Sequence, residues 1–156
     1  MRRPVALAAV LAAALLVAAG TATAARQRAR GGLAAAVATV KRNGYTPDST
    51  AGWLGQSGLN VLVATATRSG DGFNKRAFFF ENGRFLGTDA AAPSRELQEV
   101  WSTSDTVALL YVLYRRNDPN CCPTGGGAIV RFHWNGRRLV ALDSIPSANF
   151  AARLSR

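Results

Sequence analysis

The sequence predicts an α+β fold: one N-terminal helix packed on a twisted antiparallel β-sheet of about six strands. Three observations predict it. Leu33, Val37 and Val40 recur at the i, i+4, i+7 spacing of one helix face. From Asn60 onward the chain changes to short runs rich in Val, Thr and aromatic residues, the types that suit a pleated, half-buried surface. Two Asn-Gly pairs, Asn82-Gly83 and Asn135-Gly136, interrupt those runs as two-residue hairpin turns do. Consecutive strands joined by short turns pair antiparallel, and one helix suffices to cover only part of one sheet face.

The chain begins with the basic stretch Met1-Arg2-Arg3-Pro4 and an apolar run from Val5 to Ala19. That run is shorter than the ~20 residues a spanning helix needs. Ala22-Thr23-Ala24 is the small-x-small pattern that signal peptidase accepts. Residues 1–24 are therefore expected to be a signal peptide cleaved before Ala25, an uncleaved anchor being the alternative. Arg2-Arg3 invites a twin-arginine reading, but its flanks add nothing to it, and the general secretory route is preferred. The mature chain is expected to be secreted or associated with the cell wall, with no membrane span after cleavage. Residues 25–32, with Arg26, Arg28 and Arg30 among glycines, read as a flexible basic arm, and 33–156 as a single α+β domain.

Within that domain the helix runs through Arg42, with Lys41 and Arg42 in its last turn and Asn43-Gly44 as its stop. Tyr45–Leu59 reads as a loop because it carries Pro47, Gly52, Gly55 and Gly58, with Trp53 pinning it to the core. Strands are expected at Asn60–Arg68, Lys75–Glu81 and Arg84–Gly87, the first two separated by the turn cluster Ser69-Gly70-Asp71-Gly72. Leu97, Glu99 and Trp101 suggest another alternating strand, a short helix being the alternative. Thr106–Tyr114 is apolar on both faces, as a central covered strand should be, and Ala128–Trp134 and Arg137–Ser144 flank the second hairpin signal.

Of 156 residues, 48% are hydrophobic and 18% charged, which excludes a wholly disordered chain. One His and two Cys exclude most metal sites that need several such ligands, and no cofactor is implied. Nineteen Lys+Arg against nine Asp+Glu give a formal net charge of +10, an electrostatic attraction for anionic polymers, lipid headgroups or nucleic acid. No nucleic-acid motif accompanies the arginines, so specific nucleic-acid binding is not expected. A solvated, self-repelling surface is the plainer reading of the charge.

Cys121-Cys122 is the sharpest chemical feature. In an oxidising compartment, with no third Cys, each has only its neighbour as an intramolecular partner. Adjacent α-carbons lie ~3.8 Å apart across a trans peptide, closer than ordinary disulfides prefer, so a vicinal disulfide closes a small ring and fixes a tight turn. Reduced thiols, an intermolecular bridge and a Cu(I) pair remain as alternatives. Asp118 and Pro119 precede the pair, while Pro123, Gly125 and Gly126 follow it, and together they mark a candidate binding loop. Gly125–Gly127 lacks the Lys-Ser/Thr of a phosphate-binding loop and reads as a turn. His133, the sole histidine, sits on a strand with no nucleophile or orienting acid placed beside it by spacing. Phe78, Phe80, Tyr111, Phe132 and Trp134 are read as core before they are read as the lining of a lipid pocket.

Three stretches carry a resemblance. They are Phe78-Phe79-Phe80-Glu81-Asn82-Gly83-Arg84-Phe85-Leu86-Gly87-Thr88, Ser104-Asp105-Thr106-Val107 with Tyr111, and the segment from Asp118-Pro119-Asn120-Cys121-Cys122-Pro123-Thr124-Gly125-Gly126 through Val130–Gly136 to Ile145-Pro146. Across residues 60–147 they resemble the actinobacterial LppP/LprE-type cell-envelope lipoproteins. The resemblance implies an envelope location and brings no catalytic residues. It departs at the N-terminus, where Thr21 follows Ala18-Ala19-Gly20 in place of the Cys that would carry lipid. The functional expectation is a secreted, non-catalytic binding protein whose partner is an envelope protein, a lipid or an anionic wall polymer. A thiol/disulfide-active or copper-handling protein using Cys121-Cys122 is the alternative, and a small secreted hydrolase the third. The sequence names no oligomeric state.

Overall fold

A run such as Phe78-Phe79-Phe80 points side chains alternately to both faces of a strand, so it can be buried only where both faces are covered. The computed structural model, which describes residues 32–55 and 58–156, covers both. The expected leader, its cleavage site and Arg26, Arg28 and Arg30 of the basic arm lie outside the described residues. The helix α1 occupies 32–42, and Gly44 (φ 82°) follows it as the chain turns into β1 (Tyr45–Pro47). After it come β2 (Leu59–Ala66), β3 (Lys75–Glu81) and β4 (Arg84–Thr88), which form an antiparallel sheet in the order β1-β2-β3-β4. A second antiparallel sheet, β5-β6-β8-β9, follows from β5 (Leu97–Ser102), β6 (Thr106–Val112), β8 (Gly127–Trp134) and β9 (Leu139–Ala141). The short strands β7 (Tyr114–Arg115) and β10 (Leu154–Ser155) pair as a separate ribbon.

The described residues thus form three layers: helix, first sheet, second sheet. Leu59, Val61, Ala77 and Phe79 face the second sheet's Leu97, Val107, Leu109, Tyr111, Val130 and Phe132, with the Phe79 and Phe132 ring centroids 5.0 Å apart. The alternate residues Leu62, Ala64, Phe78 and Phe80 face Ala36 and Val40 of α1. Trp53 packs against Phe80 on that helix side, 5.7 Å between centroids, as its place in the loop suggests. Fully burying each of these large apolar side chains contributes about 1.5–3 kcal/mol.

The expected single sheet of about six strands is therefore two four-stranded sheets and a ribbon. Residues 89–96 carry the chain from one sheet to the other, which the period-2 pattern of the flanking strands cannot report. Tyr45–Leu59 is not wholly a loop, because Tyr45–Pro47 pairs with Ala64–Ala66. The Asn82-Gly83 turn is a two-residue hairpin closed by the Glu81/Arg84 pair; both turn residues have positive φ (50° and 75°), as the right-handed twist of the hairpin requires. Asn135-Gly136 instead belongs to a four-residue connection between the paired Trp134 and Leu139, which shortens the expected strand Arg137–Ser144 to β9.

Nor is Thr106–Tyr114 covered on both faces. Its inner residues Val107, Leu109 and Tyr111 are fully buried, and so is Ala108 on the outer face, but the helix lies on the other sheet, so Leu110 and Val112 of that outer face are only half-buried. A register shift between Glu99 and Trp101 leaves Val100 as an extra residue. It turns Trp101 outward beside Ala108 while Leu97 stays in the core; Trp101 is 42% exposed and Ile129 54%.

Candidate functional site

The Cys pair lies on the connection from β7 to β8. Asp118 builds that connection. Its Oδ2 accepts from the backbone N–H of Arg115 (2.8 Å) and of Thr124 (2.7 Å), and its Oδ1 from the Thr124 hydroxyl (2.8 Å). These bonds to the ionised form, the Thr124 N–H foremost, hold the Asp118 carboxyl below the usual carboxylate range. A single carboxylate thereby ties the two ends of residues 115–124 together. Inside the loop the Cys122 N–H donates to the Pro119 carbonyl (3.1 Å), and the Tyr114 hydroxyl donates to the Asn120 carbonyl (3.2 Å).

Gly125, after Pro123, serves close approach. Gly125 donates to the Leu113 carbonyl (2.9 Å), and Leu113 donates back to Gly126 (2.8 Å), extending the β6/β8 pairing beyond the strands. A Cβ at Gly125 would overlap that same Leu113 carbonyl, so only glycine fits there. Pro119, Pro123 and both cysteines are exposed on the resulting turn. The sulfurs of Cys121 and Cys122 face each other across a trans peptide, with α-carbons 3.8 Å apart.

The loop separates two depressions. One, of about 340 Å³, lies under Asn120, Cys121 and Pro123 and is floored by Tyr114, Val112 and Glu96. The other, of about 510 Å³, is lined by Arg115, Arg116, Asn117, Asp118, Thr124 and Arg153. Arg95 is held beside the first, its guanidinium 4.5 Å from the Tyr114 ring centroid and 4.3 Å from that of Phe150. The structure thus brings all the residues of the expected binding loop together: Asp118, Pro119, Cys121, Cys122, Pro123, Gly125 and Gly126.

His133 does have oxygen neighbours, which its sequence spacing hid. The Thr106 hydroxyl lies 3.1 Å from its Nδ1 and donates to Asp105 Oδ1 (2.8 Å), while Asp105 Oδ1 is 4.0 Å from the same ring nitrogen. Nucleophilic catalysis needs the acid on one side of the imidazole and the hydroxyl on the other. Here both meet at Nδ1, and the hydroxyl proton already goes to the carboxylate. Of the aromatic residues, Phe78, Phe80, Tyr111 and Phe132 are buried core, whereas Trp134 is half-buried beside Arg84, 5.5 Å from its ring centroid. Among the described residues no group of three or more His, Cys, Asp or Glu converges as a metal site, although a two-thiolate Cu(I) site would not need one.

Sequence reasoning missed a buried polar network. Asp89 is 5% exposed, accepts from the Ala77 N–H (2.9 Å) and takes the Tyr111 hydroxyl on its other oxygen (2.8 Å). Arg156, also buried, lies over the Tyr111 ring and donates to Ser94 Oγ and the carbonyls of Ala92 and Pro146. Burial pushes the Asp89 carboxyl above its ordinary value despite those hydrogen bonds and the nearby guanidinium. The one signal was Asp89 itself, an acid directly after the Gly87-Thr88 end of β4.

Comparison with curated proteins and with solved structures gives no match. The sequence profile of the LppP/LprE lipoproteins matches residues 43–137, from the approach to β1 into the β8–β9 turn, and so includes the whole Asp118–Gly126 loop. That span reaches further toward the N-terminus than the resemblance over 60–147 and stops before Ile145-Pro146. It covers more than half of the chain, and the protein belongs to the LppP/LprE lipoprotein family.

Proposed function

We propose that this envelope-family protein is a secreted, non-catalytic binding protein whose Asp118–Gly126 loop meets the ligand. One observation carries the reading: a short exposed loop, fixed from within by Asp118 and flanked by two depressions, presents Cys121-Cys122 at its tip. Such a loop supplies shape and polar backbone rather than acid–base chemistry. The ligand is an envelope protein, a lipid or an anionic wall polymer. Amide NMR of the mature protein titrated with solubilised envelope extract should show shifts centred on residues 114–126, with the bound material released at unchanged mass. Shifts centred elsewhere would displace the loop from its role, and chemically altered material would replace binding by catalysis.

The same proposal includes export with the leader removed before Ala25, no lipid attached to the mature chain, and a Cys121–Cys122 disulfide in it. Intact mass of the protein recovered from its producing cells, with and without alkylation, checks all three. The expected mass is that of residues 25–156 less two hydrogens, unchanged by alkylation until reductant is added. Two labelled thiols, a dimer that separates on reduction, or an added acyl mass would each remove one component. The exposure of both cysteines favours a thiol- or Cu(I)-handling role as the second reading, and two free thiols in that experiment would bring it forward.

A further inference from the structure

Both sheets end in a short edge strand on the same side of the molecule, β4 in the first sheet and β9 in the second, and a cleft of about 320 Å³ opens between them. It lies at the far end of β8 from the Cys loop. Arg84 leaves the Asn82-Gly83 turn and lies over the Trp134 ring. Arg137 and Arg138 leave the four-residue β8–β9 connection, where the Asn135 side chain accepts both their backbone N–H groups (3.0 and 2.9 Å) and so fixes the turn that carries them. Three arginines therefore border one concave surface whose remaining lining includes Trp134, Phe85 and Leu139.

Among the described residues none of these three guanidinium groups donates to an acceptor or stands within 4.0 Å of a carboxylate. Acids on the neighbouring strands and turns do not pair with them. Asp143 holds Arg131 by a two-pronged pair (2.8 and 2.9 Å), Asp105 accepts from Thr103 and Thr106, and Glu81, opposite Arg84 in the β3/β4 pair, accepts from Asn82 on Oε1 while its Oε2 has no partner. Three like charges with the single carboxylate of Glu81 opposite one of them leave net positive charge at the cleft, and an anion bound there reduces their mutual repulsion. The planar arginine fork matches the paired oxygens of a phosphate better than a lysine would. An acidic strand added to the sheet edge fits less well, because β4 has only five residues and its pairing with β3 shifts register between Phe79 and Phe80. The cleft volume is that of one compact polar group, at the small end of ordinary ligand sites.

We propose that this cleft is a phosphate-binding site: Arg84, Arg137 and Arg138 hold the anion of an organic phosphate, and Trp134 and Leu139 contact the group that bears it. The phosphate is that of a lipid headgroup or of a soluble phosphodiester, which share this chemistry. The mature protein is titrated at 150 mM salt with two probes, the soluble phosphodiester glycerophosphoglycerol and vesicles of phosphatidylcholine containing phosphatidylglycerol. The readouts are the Trp134 indole NMR signal and vesicle co-sedimentation. The double variant R137A/R138A should weaken binding at least about tenfold, and R84A alone several-fold. K41A/R68A, which removes the same charge from exposed positions away from the cleft, should change it less than about twofold. Thermal melting of each variant separates a lost site from a lost fold.

Cleft-dependent binding of either probe supports the site, and the probe that binds names the source. Equal weakening by K41A/R68A would reduce the effect to diffuse net charge and overturn the proposal, as would no binding of either probe. The loop reading of function is untouched by these outcomes, since its shifts are read at residues 114–126.

Discussion

Replacing Phe79 with alanine is expected to lower the unfolding free energy by about 3–5 kcal/mol, the usual range for a fully buried phenylalanine. Phe79 is completely buried between the two sheets, with the Phe132 ring 5.0 Å away and Val61, Leu109 and Val130 in the same cluster. No backbone movement can close the resulting cavity without drawing together two sheets whose other side chains already fill the space. Phe85 is the internal control. It lies on the adjacent strand and is 38% exposed, so Phe85→Ala should cost less than half as much. Urea unfolding of the two variants provides the measurement. A Phe79→Ala loss below about 1 kcal/mol would mean that the sheets do not pack through this residue.

That experiment also probes what the sequence could not say. Phe78-Phe79-Phe80 and Asn82-Gly83 identify a buried strand and its hairpin directly, because side-chain alternation and turn chemistry are local. Which layer covers each face is not local. The helix residues Ala36 and Val40 meet Phe78 and Phe80, while residues around fifty positions later meet Phe79. The split into two sheets rests on residues 89–96, a connection with no hydrophobic period to reveal its direction. In the second sheet, the extra residue Val100 reverses the facing of Trp101, so an apparently regular alternation of Leu97, Glu99 and Trp101 misplaces the last of them.

The candidate loop was legible for the opposite reason. Asp118, two prolines, two adjacent cysteines and three glycines are contiguous, and their turn-forming chemistry acts over a few residues. The arginine cleft was not, since Arg84 and Arg137 belong to separate hairpins that look alike in sequence only as turns. Their convergence depends on β4 and β9 being edge strands on the same side. Asp89 and Arg156 are similarly remote, joined only through Tyr111 and the segment around Ser94.

Asp89→Ala is the second substitution expected to act strongly, by roughly 3–5 kcal/mol, because it strands two buried donors at about 1–3 kcal/mol each. The Ala77 N–H and the Tyr111 hydroxyl both lose their acceptor, in a place where water has little access. Asp89→Asn should be milder. An amide oxygen still accepts from Ala77, and its nitrogen donates to the Tyr111 oxygen once that hydroxyl rotates. The pair of variants also gives a signed pH dependence. Burial raises the Asp89 carboxyl above its unfolded value, so the folded state binds this proton more readily. The contribution to stability is then complete below the unfolded carboxylate pKa and is lost as pH rises through the folded one. Asparagine has no proton to lose there. The stability advantage of the native chain over Asp89→Asn should therefore shrink as pH rises above the unfolded carboxylate pKa of about 4, measured by urea midpoints at each pH. If that advantage grows with pH instead, the Arg156 guanidinium outweighs burial and Asp89 is held as an ion pair across the Tyr111 ring.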